Sequence, residues 1–177
     1  MSGDRPKVLW DSCVCIDFLG GNARFPARAE HARLLFREHF EERLLVMCSA
    51  MAAMEVRHVE GAPDPEESER RIVDFFRDVE PVAFDQSTAR DARLLLRDHP
   101  GKLQQRDAVH VATALATRCE FLLTNDGDGN MGQKRKERPL LPLSGLLGGD
   151  PVLQIVTPEA YWNERHSKDL IFPDGET

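Results

Sequence analysis

Asp11, Glu55, Asp107 and Asp126 are the residues whose type and setting could do chemistry together. Asp11 closes the strand-like run VLWD, and Glu55 lies in the helical stretch SAMAAMEVRHV that follows LLVMCS. Asp107 opens the helical DAVHVATAL, and Asp126 follows FLLTN. Strands that end in acids, and helices that begin with them, can place all four at one edge of a parallel sheet, where such folds build their sites. Carboxylates crowded in this way repel one another and raise one another's pKa unless something positive occupies the centre. A divalent cation resolves that conflict. All-oxygen donors with no thiolate and few imidazoles point to Mg²⁺ or Mn²⁺ over Zn²⁺. Phosphodiester hydrolysis is the natural reaction of such a site, because the metal lowers the pKa of an attacking water and stabilises charge developing on the phosphate.

Each of these residues also has a plainer reading. Asp11 could be an N-cap for the helix CVCID, and Asp107 an acid favoured by the dipole at a helix N-terminus. Asp128 is a candidate auxiliary ligand, since TNDGD offers a second acid two residues beyond Asp126. His110 lies one helical turn beyond Asp107, but a histidine inside AVHVATAL reads as a packing residue rather than a ligand. His58, at the same spacing from Glu55, is read the same way. The four cysteines, Cys13, Cys15, Cys48 and Cys119, sit in apolar runs without a CxxC spacing and read as small core residues.

The elements that must position these acids follow from the periodicity. Lys7 to Trp10 is a short strand, and CVCIDFLGG a short helix stopped by two glycines. Pro26 to Glu42 is an amphipathic helix with Ala29, Ala32, Leu35, Phe36 and Phe40 on its apolar face. LLVMC is a buried strand, and Ser49 is placed to N-cap a helix from Ala50 to Val59. After GAPDPEE comes a helix with Ile72, Val73, Phe75 and Phe76 on its apolar face, then an edge strand over Val79 to Phe84 containing Pro81. Further helices span Thr88 to Arg97 and Gln104 to Arg118, followed by the strand EFLLT. Residues 127–150 read as a long loop with one helical turn, before a last strand at Leu153 to Val156 and a helix from Pro158 through Trp162.

With 177 residues, no internal repeat and no long linker, the chain reads as a single domain over residues 1–177. A net charge of -7 argues against a surface built entirely to bind a polyanion, so any nucleic-acid contact must be local. No signal segment and no apolar run of about 20 residues appears, so the expected setting is cytoplasmic, without a membrane partner. Gly127, Gly129 and Gly132 spell G-x-G-x-x-G after a strand, but the following QKRKERP is polar and ends in proline, so dinucleotide binding is not expected. Those glycines more simply let a loop bend close to the acidic pocket. There is no GxxxxGK[ST] loop and no GxSxG elbow.

Strands alternating with helices imply a parallel sheet with helices on both faces, an α/β class. The order Asp-Ser after the first strand, an Ala/Met-rich helix bearing Glu, then RDAVHVATAL and LLTND, resembles a PIN-domain nuclease, and more specifically the VapC-type toxin of a toxin–antitoxin pair. The resemblance runs from about Val8 to Tyr161. It implies an α/β/α sandwich around a central parallel sheet of about five strands, and a Mg²⁺- or Mn²⁺-dependent endoribonuclease acting on RNA. It also implies that Asp11, Glu55, Asp107 and Asp126 bind the metal, with Ser12 and Thr124 orienting them.

Lys134, Arg135, Lys136 and Arg138 could contact RNA phosphates beside the metal, although a charge run is more commonly a solvated face. The resemblance further implies a homodimer and a cognate antitoxin lying in a groove of the early helices, near Phe25, Leu34, Leu35 and Phe36, residues that ordinary core packing would also explain. A housekeeping RNA-processing nuclease and a non-catalytic PIN-like module that binds RNA or protein are the alternatives. A haloacid-dehalogenase-type phosphohydrolase would want a second Asp where this chain has Cys13. The stretch after Asp126 is longer than such small toxins usually carry.

Overall fold

The computed structural model describes residues 5–20, 26–79, 81–127 and 139–167. Four parallel strands form one sheet: β1 (Lys7–Trp10), β2 (Leu45–Cys48), β3 (Phe121–Leu123) and β4 (Gln154–Val156), in the order β2-β1-β3-β4. The helices are α1 (Ser12–Gly20), α2 (Pro26–Phe40), α3 (Ala50–Glu55), α4 (Pro65–Val79), α5 (Gln86–Asp98), α6 (Gln105–Ala116) and α7 (Pro158–His166). Parallel neighbours need crossovers, and the chain supplies them as helices.

Side-chain alternation along the strands divides the core into two layers. Val8, Trp10 and Leu123 point to the face covered by α1, α2, α4 and α7, whose Val14, Leu35, Phe75 and Tyr161 pack there. Leu9 and Leu122 point to the opposite face, against Ala92 of α5 and Ala108, Val111 and Ala112 of α6. The result is an α/β/α sandwich. Leu9 and Leu122 are fully buried, each stabilising the fold by roughly 1.5–3 kcal/mol relative to exposure. On α6, every residue from Asp107 to Ala114 is buried, and small alanines let the helix approach the sheet.

Among the described residues the sheet has four strands rather than about five. Among the described residues of the Val79 to Phe84 segment no strand forms: α4 runs on through Val79, and only Val82 pairs, in a single parallel bridge with Ser49 beside the end of β2. Val82 N–H donates to the Cys48 carbonyl at 2.8 Å and the Val82 carbonyl accepts from Ala50 N–H at 2.9 Å. Pro81 has no N–H to extend the ladder, and Ala83 and Phe84 are exposed, so the residues after Val82 bury no face.

Other departures are local. The helix expected over Ala50 to Val59 stops at Glu55, with Val56 already extended. Val73 and Phe40 are exposed, leaving Ile72, Phe75, Phe76 and Val79 as the buried stripe of α4. Leu35 is fully buried and Phe36 packs at tilted angles in an aromatic cluster with Trp10, Phe18 and Phe75, so both belong to the core; Phe25 lies outside the described residues. Within 127–150, residues 139–150 carry one 3-10 turn at Leu141–Leu143.

Candidate metal centre

The order β2-β1-β3 puts the direction reversal of the sheet at β1 and β3, because the chain leaves β1 towards β2 and later returns to the other side of β1. Crevices outside the carboxyl ends of strands at such a reversal are where open α/β sheets bind ligands. Asp11 lies immediately after β1 and Thr124 immediately after β3. Asp11 N–H continues the ladder by donating to the Leu123 carbonyl at 2.9 Å, which fixes the carboxylate at the mouth of the crevice.

The Asp11 carboxylate is buried and surrounded by donors. Oδ1 accepts from Ser12 N–H at 2.6 Å and from Ser12 Oγ at 3.2 Å; Oδ2 accepts from Thr124 Oγ1 at 2.7 Å and from the Cys13 thiol at 3.3 Å. Asp11 therefore touches the start of α1, but it does so as part of a network that reaches across to β3. Burial and the neighbouring Asp11 charge hold the Cys13 thiol well above its ordinary pKa, so it stays protonated and donates.

Glu55 arrives from the end of α3, whose first turn is capped by Ser49 Oγ accepting from Ala52 N–H at 3.3 Å. Burial pushes the Glu55 pKa upward, but hydrogen bonds from His110 and Ser12, the His110 charge and Arg106 outweigh it and bring the carboxyl down to about 2. Glu55 is thus ionised. Arg106 Nη1 donates to Glu55 Oε1 at 2.8 Å from an exposed side chain.

His110 joins the two acids. Its Nε2 lies 3.1 Å from Glu55 Oε2 and 3.3 Å from Asp11 Oδ1, while Nδ1 lies 2.8 Å from Ser49 Oγ. Burial would lower its pKa, but the charges of Asp11, Glu55 and Asp107 more than compensate and raise it. Among the described residues, Asp11, Glu55 and His110 are the group whose potential ligand atoms all fall within 4.8 Å of one another.

Asp107 and Asp126 are outside that tight trio. Asp107 is buried in the first turn of α6, near enough for its charge to act on His110. Asp126 is buried beyond Thr124, its N–H donating to Thr124 Oγ1 at 3.0 Å and its Oδ2 accepting from Leu140 N–H at 3.1 Å. Asp128, Lys134, Arg135, Lys136 and Arg138 lie outside the described residues.

Two site neighbours escaped the sequence reading. His110 is buried, as a packing residue would be, yet both ring nitrogens meet polar partners. The signal was its one-turn spacing from Asp107, but what gives the ring a polar setting comes from Ser49, Glu55 and Asp11, all distant in sequence. Arg106 opens the run RDAVHVATAL directly before Asp107, but nothing local in that run gives it Glu55 as a partner.

The donor set fits a hard divalent ion. Carboxylate oxygens of Asp11 and Glu55 sit around one position, with Ser12 and Thr124 holding the carboxylate of Asp11, and no thiolate is available because Cys13 is kept protonated. The buried carboxylate of Asp11 and the partly buried one of Glu55 lie this close with His110 and Arg106 as the basic side chains that face them.

The PIN domain family model matches residues 8–136. No curated protein matches the chain. Among solved structures, VapBC2 from Rickettsia felis bound to a DNA fragment from their promoter is similar with a TM-score of 0.50 and 14% identity, over 68% of this chain and 87% of that one. DNA-bound VapBC from Salmonella typhimurium is similar with a TM-score of 0.55 and 16% identity, over 86% of this chain and 98% of that one. At such identities the likeness concerns the fold.

Proposed function

This chain belongs to the PIN-domain family, and from that premise we propose that it is a Mg²⁺- or Mn²⁺-dependent endoribonuclease, the VapC-type toxin of a type II toxin–antitoxin pair. The observation that carries the reading is the convergence of Asp11 and Glu55 from separate elements at the reversal point of the sheet, each held by polar partners and bridged by His110. Asp11 and Glu55 would hold the ion directly, with Asp107 and Asp126 completing its surroundings directly or through water. The bound ion would supply an activated water and neutralise charge on the phosphate. Ser12 and Thr124 orient the Asp11 carboxylate, and Arg106 keeps a positive charge at the edge of the pocket.

The two similar solved structures are of VapBC assemblies, which supports a partner protein, the cognate antitoxin, for this chain as well. A homodimer and RNA as the substrate come from the family resemblance. Among the described residues no helix is long and apolar enough to cross a membrane, in keeping with a cytoplasmic site of action.

The test is RNA cleavage by native protein and Asp107→Asn, each with Mg²⁺, with Mn²⁺ and with chelator. Cleavage by the native protein with either metal, lost on chelation and in the variant, supports the proposal. Cleavage unchanged by both treatments rejects it, and RNA binding without cleavage under every condition favours a binding module. Growth arrest on expression, relieved by a small neighbouring open reading frame, separates a toxin from a housekeeping nuclease.

A further inference from the structure

We infer that Asp17 is a positioning residue for the ion: through its hydrogen bond to Asn125 it fixes the segment Thr124–Asp126, and with it the place of Asp126 relative to Asp11. The inference rests on the metal-site reading of those two acids.

Local sequence gives Asp17 no reason to be where it is. It lies in the last turn of α1, where an acid meets the negative end of the helix dipole. It is also buried, and a buried carboxyl group costs stability unless it is hydrogen-bonded. Its Oδ2 accepts from Asn125 Nδ2 at 2.7 Å, across 108 residues of sequence, and Asn125 is itself buried. Asn125 is held at a second point, where its N–H donates to Cys13 Sγ at 3.2 Å. Cys13 and Asp17 are one helical turn apart and share a face of α1. That face thus grips one residue of the segment after β3 by both its backbone and its side chain.

The residues on either side of Asn125 both belong to the site. Thr124 Oγ1 donates to Asp11 Oδ2 at 2.7 Å and accepts from Asp126 N–H at 3.0 Å. A swing of Asn125 therefore moves Thr124 against Asp11 and carries Asp126 with it. Asp17 is not one of the described residues whose potential ligand atoms lie within 4.8 Å of one another, which are Asp11, Glu55 and His110. It acts on the ion through Asn125, not as a ligand. Replacing a buried polar group by an apolar one of similar size is often nearly neutral for stability when its partner is replaced too. Loss of a group that orients a metal site conventionally costs about 10–100-fold in metal affinity or activity.

Variants of the full chain test this at a temperature well below unfolding, where a moderate loss of stability leaves the folded fraction, and so the Mn²⁺ constant, unchanged. Asp17→Leu should weaken Mn²⁺ binding by about 10–100-fold in calorimetric titration, and should raise the Mg²⁺ concentration that half-saturates RNA cleavage by a similar factor. Asp17→Ala takes its place if leucine prevents folding. Asp17→Asn, which keeps an oxygen for the Asn125 amide, should bind Mn²⁺ nearly as tightly as the native protein. In an Asn125→Ala background, Asp17→Leu should add little, because the two side chains act as one unit. A native Mn²⁺ constant in folded Asp17→Leu would overturn the inference. So would Asp17→Asn binding as weakly as Asp17→Leu, or the full loss repeated in the Asn125→Ala background. Amide hydrogen exchange of metal-free protein reads the same link without the ion: Asp126 N–H should exchange faster in Asp17→Leu while α6 keeps its native protection. Unchanged exchange at Asp126 would overturn the inference. Failure of the native protein to bind Mn²⁺ would instead defeat the metal-site reading, while the exchange at Asp126 would still decide whether Asp17 holds that acid in place.

Discussion

Thr124 Oγ1 donates to Asp11 Oδ2 at 2.7 Å across 113 residues of sequence. The same hydroxyl accepts from Asp126 N–H at 3.0 Å, so one side chain ties the acid after β1 to the acid after β3. Thr124→Val keeps the shape and removes both bonds. Its expected cost in stability is about 1–2 kcal/mol, measured by urea denaturation. Its expected cost in metal-dependent RNA cleavage is larger, roughly 10–100-fold, because a loosened Asp11 no longer meets the ion in a fixed geometry. Equal losses in stability and activity would assign Thr124 to the fold alone.

Arg106 competes with any cation for Glu55. Its guanidinium is largely exposed, so the ion pair contributes only about 0.2–1 kcal/mol. Removing it in Arg106→Ala should leave thermal stability nearly unchanged and raise Mn²⁺ affinity up to roughly fivefold, the same small energy read as a binding constant. Calorimetric titration with Mn²⁺ checks this. Weaker Mn²⁺ binding in Arg106→Ala would show that the arginine organises Glu55 instead of competing for it.

Gly127, directly after Asp126, adopts φ +97°, and a Cβ there would come within 2.7 Å of Pro139 Cβ. Gly127→Ala combines a strained backbone with a clash against the segment whose Leu140 N–H binds Asp126. A loss of about 1–3 kcal/mol is expected, together with reduced cleavage at saturating Mg²⁺, as Asp126 shifts with the loop. A neutral Gly127→Ala in both assays would mean that this turn relaxes without moving the acid.

The parts of the site set by local sequence were legible and the parts set by assembly were not. An acid closing a short apolar run marked Asp11 at the end of β1, and Ser49 before an Ala/Met-rich run marked the start of α3, because strand ends and caps are local events. His110 looked like packing since all its sequence neighbours are small and apolar, and its polar partners come from three other elements. Val79 to Phe84 carried a strand-like composition, yet strand formation needs a partner edge and a buried face, and among the described residues only Val82 found a partner edge. The extent of α3 was overestimated because nothing between Glu55 and Val59 breaks a helix by composition; Val56, in extended conformation, and Val59 are pulled into the core instead.

Glu38 anchors α7, which lies beyond the matched family region. Almost completely buried on α2, it accepts from Arg165 Nε of α7 at 2.8 Å, and Arg165 Nη2 also donates to the Arg43 carbonyl at 2.9 Å. Glu38→Ala leaves Arg165 partly buried without its carboxylate, and a loss of roughly 2–4 kcal/mol is expected, discounted for the partial exposure of Arg165. Hydrogen exchange should then rise across α7 before it rises across β1 or α6. Uniform exchange throughout the fold would show that α7 is not held as a separable unit.

The metal reading is tested most directly by soaking Mn²⁺ into crystals of the native protein and collecting anomalous diffraction. A cation shared by the acids places an anomalous peak within about 2.0–2.6 Å of carboxylate oxygens of both Asp11 and Glu55, absent from crystals of Asp11→Asn grown and soaked in parallel. A peak bound elsewhere, or no peak between these two side chains at saturating Mn²⁺, would contradict it.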